Sequence, residues 1–205
     1  KKPYFRRKEI KAMKKSSILI LIIICLVGCK KGSNETTITG EIKGLGTDTL
    51  YLYGMDELYD RIDTIYVEND KFSYTTSVDT ITSAYLLLKN RIEYPVFLDK
   101  GNKIKIKGDT INLNFLTISG NIYNEEFTDF QKALEDPADP SEKAGEETVD
   151  KRITVEKANT AEEMAEEFIL QHHSSYVSLY LLDKYFVQKE TPDFSKIKKL
   201  VEVMT

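Results

Sequence analysis

From about residue 36 to 119, apolar residues recur at every second position in short runs separated by turn residues, the period of a half-buried strand. Ile38 and Ile42 alternate with polar neighbours until Gly44-Leu45-Gly46 breaks the run, and a second run covers 50–53. Runs at 62–68 and 72–77 flank Asn69-Asp70, a good hairpin turn because both residues tolerate left-handed backbone. Runs at 84–89 and 94–98 flank Asn90-Arg91, and Asp99-Lys100-Gly101-Asn102 turns into Lys103-Ile104-Lys105-Ile106-Lys107. That strand puts isoleucines on one face and lysines on the other. The lysines are expected in solvent, guarding an exposed edge. About eight strands at this spacing predict an antiparallel sandwich or barrel. We assign residues 38–120 to a mainly β, antiparallel β-sandwich.

After Gly120 the period changes. Tyr123, Phe127, Phe130 and Leu134 fall on one face of a helix. Residues 136–147, with Pro137 and Pro140, are acidic and fit a solvated loop or a charged helix starting near Pro140. Helical spacing returns at Ala161, Met164, Ala165, Phe168 and Ile169, then at Val177, Tyr180, Leu181 and Lys184. Pro192-Asp193 opens a last segment with Ile197, Leu200, Val201 and Met204 on one side. Thr205 falls inside that amphipathic pattern with no closing cap, so the natural chain is expected to continue. The helical region spans 121–205, and the whole is α+β.

The amino end carries a different signal. Lys14 and Lys15 precede an apolar run at 18–27, too short for a bilayer anchor of about 20 residues and of the size of a signal-peptide core. Leu26-Val27-Gly28-Cys29 resembles the bacterial lipobox. Cleavage is expected between Gly28 and Cys29, with lipid on the Cys29 thiol. Cys25 does not fit, because Ile24 before it is too large for that cleavage. An ordinary core helix with a buried cysteine is the alternative. Residues 1–12 lie upstream of Met13 and read as an early start or a long basic leader. The expected layout is therefore 1–28 as upstream residues plus signal peptide and 29–37 as a polar lipidated tether. No acidic cluster follows Cys29, which by the habit of Bacteroidetes lipoproteins favours the periplasmic face of the inner or outer membrane.

Charge and composition then narrow the chemistry. Eight basic residues and one acidic residue precede Cys29, so of 29 basic and 33 acidic residues the processed chain keeps 21 and 32, a net of −11. That balance argues against nucleic acid, whose binding needs lysine and arginine for phosphates. It also argues against a basic lipid-binding surface, leaving the acyl chains to hold the membrane. The processed chain has one cysteine, which would be lipidated, and two histidines, His172 and His173. No Cys-x-x-Cys, Gly-rich phosphate loop or nucleophile elbow occurs. No catalytic residue, cofactor site or metal site is therefore assigned.

Weaker candidates each have a plainer reading. Asp56, Glu57 and Asp60 could offer oxygens to Ca²⁺, but without the spacing of a calcium loop a solvated loop is favoured. Glu162, Glu163, Glu166 and Glu167 read as the wet face of a helix, and His172-His173 as a helix end. Tyrosines 51, 53, 66, 74 and 85 suit strands, with core or cross-strand packing favoured over a stripe for sugar rings. Asp-Thr-apolar occurs at 48–50, 63–65, 79–81 and 109–111. It resembles the short sequon for O-glycosylation in Bacteroidetes, making Thr49, Thr64, Thr80 and Thr110 candidate acceptors. The same triplets equally suit a turn entering a strand.

The segments 37–44, 48–52, 95–101, 118–121 and 174–182, in that order after a lipobox, resemble a Bacteroidetes lipoprotein family. In it a β-rich domain of unknown function and helices commonly precede a thioredoxin-like domain of the TlpA/ResA type. The resemblance implies a non-enzymatic, lipid-anchored periplasmic accessory module, the N-terminal part of a thiol-disulfide oxidoreductase-type lipoprotein. Its expected partners are the membrane, a downstream thioredoxin-like domain and, as one arrangement, a second copy in a homodimer. The alternative is a stand-alone glycan- or peptide-binding lipoprotein, which exposed aromatics on one strand face would favour.

Overall fold

The structure, a computed structural model, describes residues 34–54, 57–135 and 150–204. Gly28, Cys29, the acidic stretch 136–149 and Asp56 lie outside them, as does the side chain of Glu57. The strands are β1 (Glu35–Lys43), β2 (Asp48–Gly54), β3 (Ile62–Val67), β4 (Lys71–Ser77), β5 (Thr82–Leu87), β6 (Glu93–Leu98), β7 (Lys103–Asp109) and β8 (Thr117–Ser119). The helices are α1 (Ile122–Glu135), α2 (Asp150–Gln171), α3 (Tyr176–Leu182), continued by a π turn at Asp183–Val187, and α4 (Phe194–Met204).

The strands form two four-stranded sheets, ordered β4-β1-β7-β8 and β3-β2-β5-β6. The alternation read from sequence sets their inner faces. Ile38 and Ile42 of β1 and Ile104 and Ile106 of β7 meet Leu50, Leu52, Ile65, Ala84 and Leu86 in one buried core. The β3–β4 hairpin turns at Asn69 and Asp70, both at positive φ, and a single bridge pairs Glu68 with Lys71 before the strands part into separate sheets.

The expected β-sandwich followed by helices is there, and two details of it differ. The sandwich is mostly antiparallel, but β1 and β7 pair in parallel, Ile38 opposite Ile104. Parallel neighbours need a long crossover, and here it contains β4 and the entire second sheet. The lysines of β7 do face solvent, yet β7 is no edge, since β1 flanks it on one side and β8 on the other.

The helices account for β6. All five residues from Tyr94 to Leu98 are buried, because one face lies on the sandwich core while the other is covered. Phe97 meets Tyr123 and Phe127 of α1 and Tyr180 of α3 at 6.2–6.4 Å between ring centroids. The apolar stripe expected on α1 is there: Phe127 and Phe130 are buried, with Tyr123 and Leu134 packed at its margins. Ala165 and Ile169 of α2, Val177 and Leu181 of α3 and Leu200 of α4 extend the same core. Among the described residues no helix is long and apolar enough to cross a membrane.

Candidate functional site

Buried polar side chains usually point to chemistry or to structure, and their partners tell which. Asn124 is 1% exposed. Its amide accepts from the Phe97 N–H at 2.9 Å and donates to the Phe97 carbonyl at 2.8 Å. One turn later, the Thr128 hydroxyl accepts from the Ile118 N–H at 2.9 Å and donates to the Ile118 carbonyl at 3.0 Å. Phe97 belongs to the edge strand of one sheet and Ile118 to the edge strand of the other. The hydroxyl of Tyr94 treats Leu116 alike, donating to its carbonyl at 2.9 Å and accepting from its N–H at 3.2 Å. Burial pushes the Tyr94 phenol up to about 12. These groups stand in for missing strands.

A second polar group joins the sheets at the opposite side. The Tyr59 hydroxyl donates to Asp63 at 2.5 Å, and Arg61 lies 3.0 Å from the same oxygen while its other nitrogen donates to Thr76 and to the Ser77 carbonyl. Arg61 also stacks over the Tyr59 ring. Burial, reinforced by the Asp63 carboxylate, pushes the Tyr59 phenol up to about 12. Asp63 and Arg61 sit at β3 and its approach, Thr76 and Ser77 on β4, so the cluster ties the two other edges together.

What faces outward differs sharply between the sheets. The first presents Lys103, Lys105 and Lys107 beside Thr39 and Glu41. The second presents Thr49, Tyr51 and Tyr53 from β2 against Tyr66, Thr64 and Ile62 from β3, cross-strand partner by partner. Their neighbours Leu50, Leu52, Ile65 and Val67 are at most 1% exposed, which fixes the alternate residues on the outside. Tyr66 and Ile62 are each 74% exposed and Tyr51 41%. Toward β5 the cover begins: Tyr53 stacks on Tyr85 at 5.9 Å, and Tyr85 meets Tyr180 of α3 at 6.3 Å. The expectation of core or cross-strand packing therefore holds for Tyr85, for Tyr53 stacked on it across the strands and for Tyr74 packed against the core. Tyr66 and Tyr51 are not core residues and stand exposed beside their cross-strand partners. Periodicity sorts residues onto faces, but it does not say which face a helix will cover.

The four Asp-Thr triplets divide by accessibility. Thr64 and Thr80 are exposed, while Thr49 and Thr110 are half-buried. Each aspartate has a local task. Asp48 accepts from the Thr49 N–H at 2.8 Å and pairs with Lys89 at 3.1 Å, both of which hold its carboxyl below the usual range. Asp63 belongs to the Tyr59 cluster, Asp79 accepts from Asn34 at 3.3 Å, and Asp109 caps a short 3-10 turn through the Ile111 N–H at 2.9 Å. Thr49 and Thr64 lie on the tyrosine face.

The remaining candidates behave as follows. Asp60 is exposed. Among the described residues no three His, Cys, Asp or Glu side chains converge to hold a metal ion. Of the acidic face of α2, Glu162 pairs with Lys189 at 2.6 Å and Glu166 with Lys196 at 2.8 Å, so both bind neighbouring elements. His172 ends α2 stacked on Phe168 at 4.4 Å between centroids, with Glu126 at 3.8 Å from Nδ1. Glu126 is also taken by the Ser175 hydroxyl at 2.5 Å, and Ser175 caps α3 through the Val177 N–H. The Ser174 hydroxyl lies 3.1 Å from Nδ1 of the adjacent His173, an exposed contact between chain neighbours.

Comparison with known families gives one result. Residues 36–127 match the model of a family described as a domain of unknown function (DUF4369). The matched span runs past Gly120 through Asn121 and Asn124 to Phe127, so it holds both sheets and the part of α1 that docks on them. No curated protein matches the chain.

Proposed function

We propose that this chain is a lipid-anchored, periplasm-facing accessory module that works by binding, with no catalytic site of its own. The observation that carries the reading is the outer face of β2 and β3, where Tyr66 and Ile62 stand 74% exposed beside Tyr51. Exposed apolar surface of this kind marks contact sites. The buried polar groups described above are meanwhile engaged in structure: Asn124, Thr128 and Tyr94 on backbone, Tyr59 and Asp63 between sheets. The anchor rests on Leu26-Val27-Gly28-Cys29. Expression of the full chain with labelled palmitate tests it: label and membrane fractionation are expected for the wild type and lost in Cys29→Ser. Equal labelling of both would sink the anchor.

The ordered motifs that resemble thioredoxin-linked lipoproteins support a place for the module beside a thiol-disulfide oxidoreductase domain. Reading the coding sequence past the Thr205 codon tests this. A β-α-β pattern with Cys-x-x-Cys is expected, and an immediate stop codon would remove it.

A further inference from the structure

We propose that the outer face of β2 and β3 is a binding site for a neutral glycan. This rests on the reading of that face as the working surface and names its ligand. The six outward residues are Thr49, Tyr51 and Tyr53 opposite Tyr66, Thr64 and Ile62. None carries a charge, in a chain of which 30% of residues are charged. The outer face of the other sheet bears three lysines on β7 alone, so the lack of charge is local to this one. One acidic group reaches it: Glu93 on β6 hydrogen-bonds Tyr53 and, after burial, helps to push that phenol up.

The pattern within the face is the second observation. Ring and hydroxyl alternate among four of the six, with Tyr51 opposite Thr64 and Thr49 opposite Tyr66, and Tyr53 opposite Ile62 extends the apolar part. Strands lie about 4.8 Å apart and alternate residues along one strand roughly 7 Å apart, so flat aromatic surface and hydroxyl groups recur on the scale of one sugar ring. A pyranose has a face of C–H bonds that stacks on an aromatic ring and a rim of hydroxyls that seek hydrogen-bond partners. A tyrosine is amphipathic in the same sense, apolar in the ring and polar at the tip. Thr64 is exposed on the same face, with its hydroxyl within the pattern.

Charge separates this ligand from the other occupants. A uronic or sulfated polymer would meet no cation on the face. A second copy would bring its own net of −11 from Cys29 onward, and like charge opposes association. A neutral glycan meets neither obstacle.

The test is native affinity electrophoresis of the processed chain through gels holding laminarin, xyloglucan, galactomannan or, as the charged comparison, polygalacturonate. Calorimetry on oligosaccharides of the retarding polymer follows. The expected result is retardation by at least one neutral polymer and none by polygalacturonate. Tyr66→Ala and Tyr51→Ala should each weaken binding about tenfold with the unfolding transition unchanged, and Lys105→Ala should leave binding as it is. Retardation only by polygalacturonate, or neutral binding indifferent to Tyr66→Ala, overturns the assignment. Sedimentation of the same samples separates the two levels of the argument. A dimer that Tyr66→Ala dissolves overturns the glycan and keeps the face as the working surface. A monomer with no glycan bound overturns both.

Discussion

Asn124 holds the peptide of Phe97 at both ends, accepting from its N–H at 2.9 Å and donating to its carbonyl at 2.8 Å. A single side chain thus makes the pair of bonds that a neighbouring strand would make. Asn121 adds a second donor to the same carbonyl at 2.8 Å while its own carbonyl oxygen caps α1 through the Asn124 N–H at 2.9 Å. Helix start and sheet edge are fixed by the same residues, and Thr128 repeats the arrangement on the edge of the other sheet.

Asn124→Ala leaves the buried Phe97 N–H without a partner while Asn121 still serves the carbonyl. An unsatisfied buried group costs about 1–3 kcal/mol, and the loss is expected in urea unfolding with the slope unchanged. Combining it with Thr128→Val frees both sheet edges, and unpaired edges template aggregation. Light scattering of the double variant at a temperature where each single variant stays clear should rise.

Gly120→Ala should be worse tolerated than a small exposed residue suggests. Gly120 has φ of 112°, and an added Cβ would stand 2.2 Å from the Lys103 carbonyl oxygen. Both obstacles are backbone, so the entry into α1 must shift and carry Asn121 and Asn124 with it. The expected loss is about 1–3 kcal/mol, measured as above. Coupling to Asn124→Ala in a double-mutant cycle is also expected, since both act on one docking geometry.

This docking was not legible in the sequence, and the reason is physical. A polar residue in an amphipathic helix reads as solvent-facing, so Asn124 and Thr128 look like the wet side of α1. The structure buries them because sheet edges need hydrogen-bond partners. Pro95 on β6 was an available sign of an edge, since proline has no N–H to give a neighbour. By contrast, Ile104 and Ile106 against three lysines fixed which side of β7 is inside, and Asn69-Asp70 fixed the hairpin. Those are local signals. The parallel pairing of β1 with β7 joins residues 66 positions apart, Ile38 to Ile104 among them, and no local pattern encodes it. For the candidate face, alternation placed Tyr51 and Tyr66 on the same side. Their exposure depended on where α1 and α3 came to rest.

The α2–α4 contact should weaken in acid. Lys189 lies 2.6 Å from Glu162, and Lys196 lies 3.6 Å from it and 2.8 Å from Glu166. The Lys189 hydrogen bond, more than Lys196, holds the Glu162 carboxyl below its ordinary 4.5. A depressed carboxylate stabilises the fold above its unfolded value, and that contribution fades as pH falls through the folded one. The lysines are 30–43% exposed, so solvent screens the pairs and Glu162→Gln should cost under about 1 kcal/mol near neutrality. The difference from wild type should shrink below pH 4.5 and shrink in high salt. A difference constant across that range would show the carboxylate charge to be idle.

At the alkaline end the buried phenols set the limit. Tyr94 and Tyr59 are 2% and 3% exposed and both are pushed up to about 12 from an ordinary 10.0, chiefly by burial. The folded chain therefore binds these protons more tightly than the unfolded one. Their stabilisation is whole below pH 10 and is lost as pH rises from 10 to about 12. Tyrosinate absorbance should show the signal of the buried pair appearing only as the fold opens. Tyr94→Phe removes one of these titrations but also strips the Leu116 peptide of both its bonds to the hydroxyl. It should lower stability at pH 7 by about 1–3 kcal/mol and flatten the fall between pH 10 and 12. If Tyr94→Phe left both the neutral stability and the alkaline slope unchanged, the hydroxyl would hold neither Leu116 nor a buried proton.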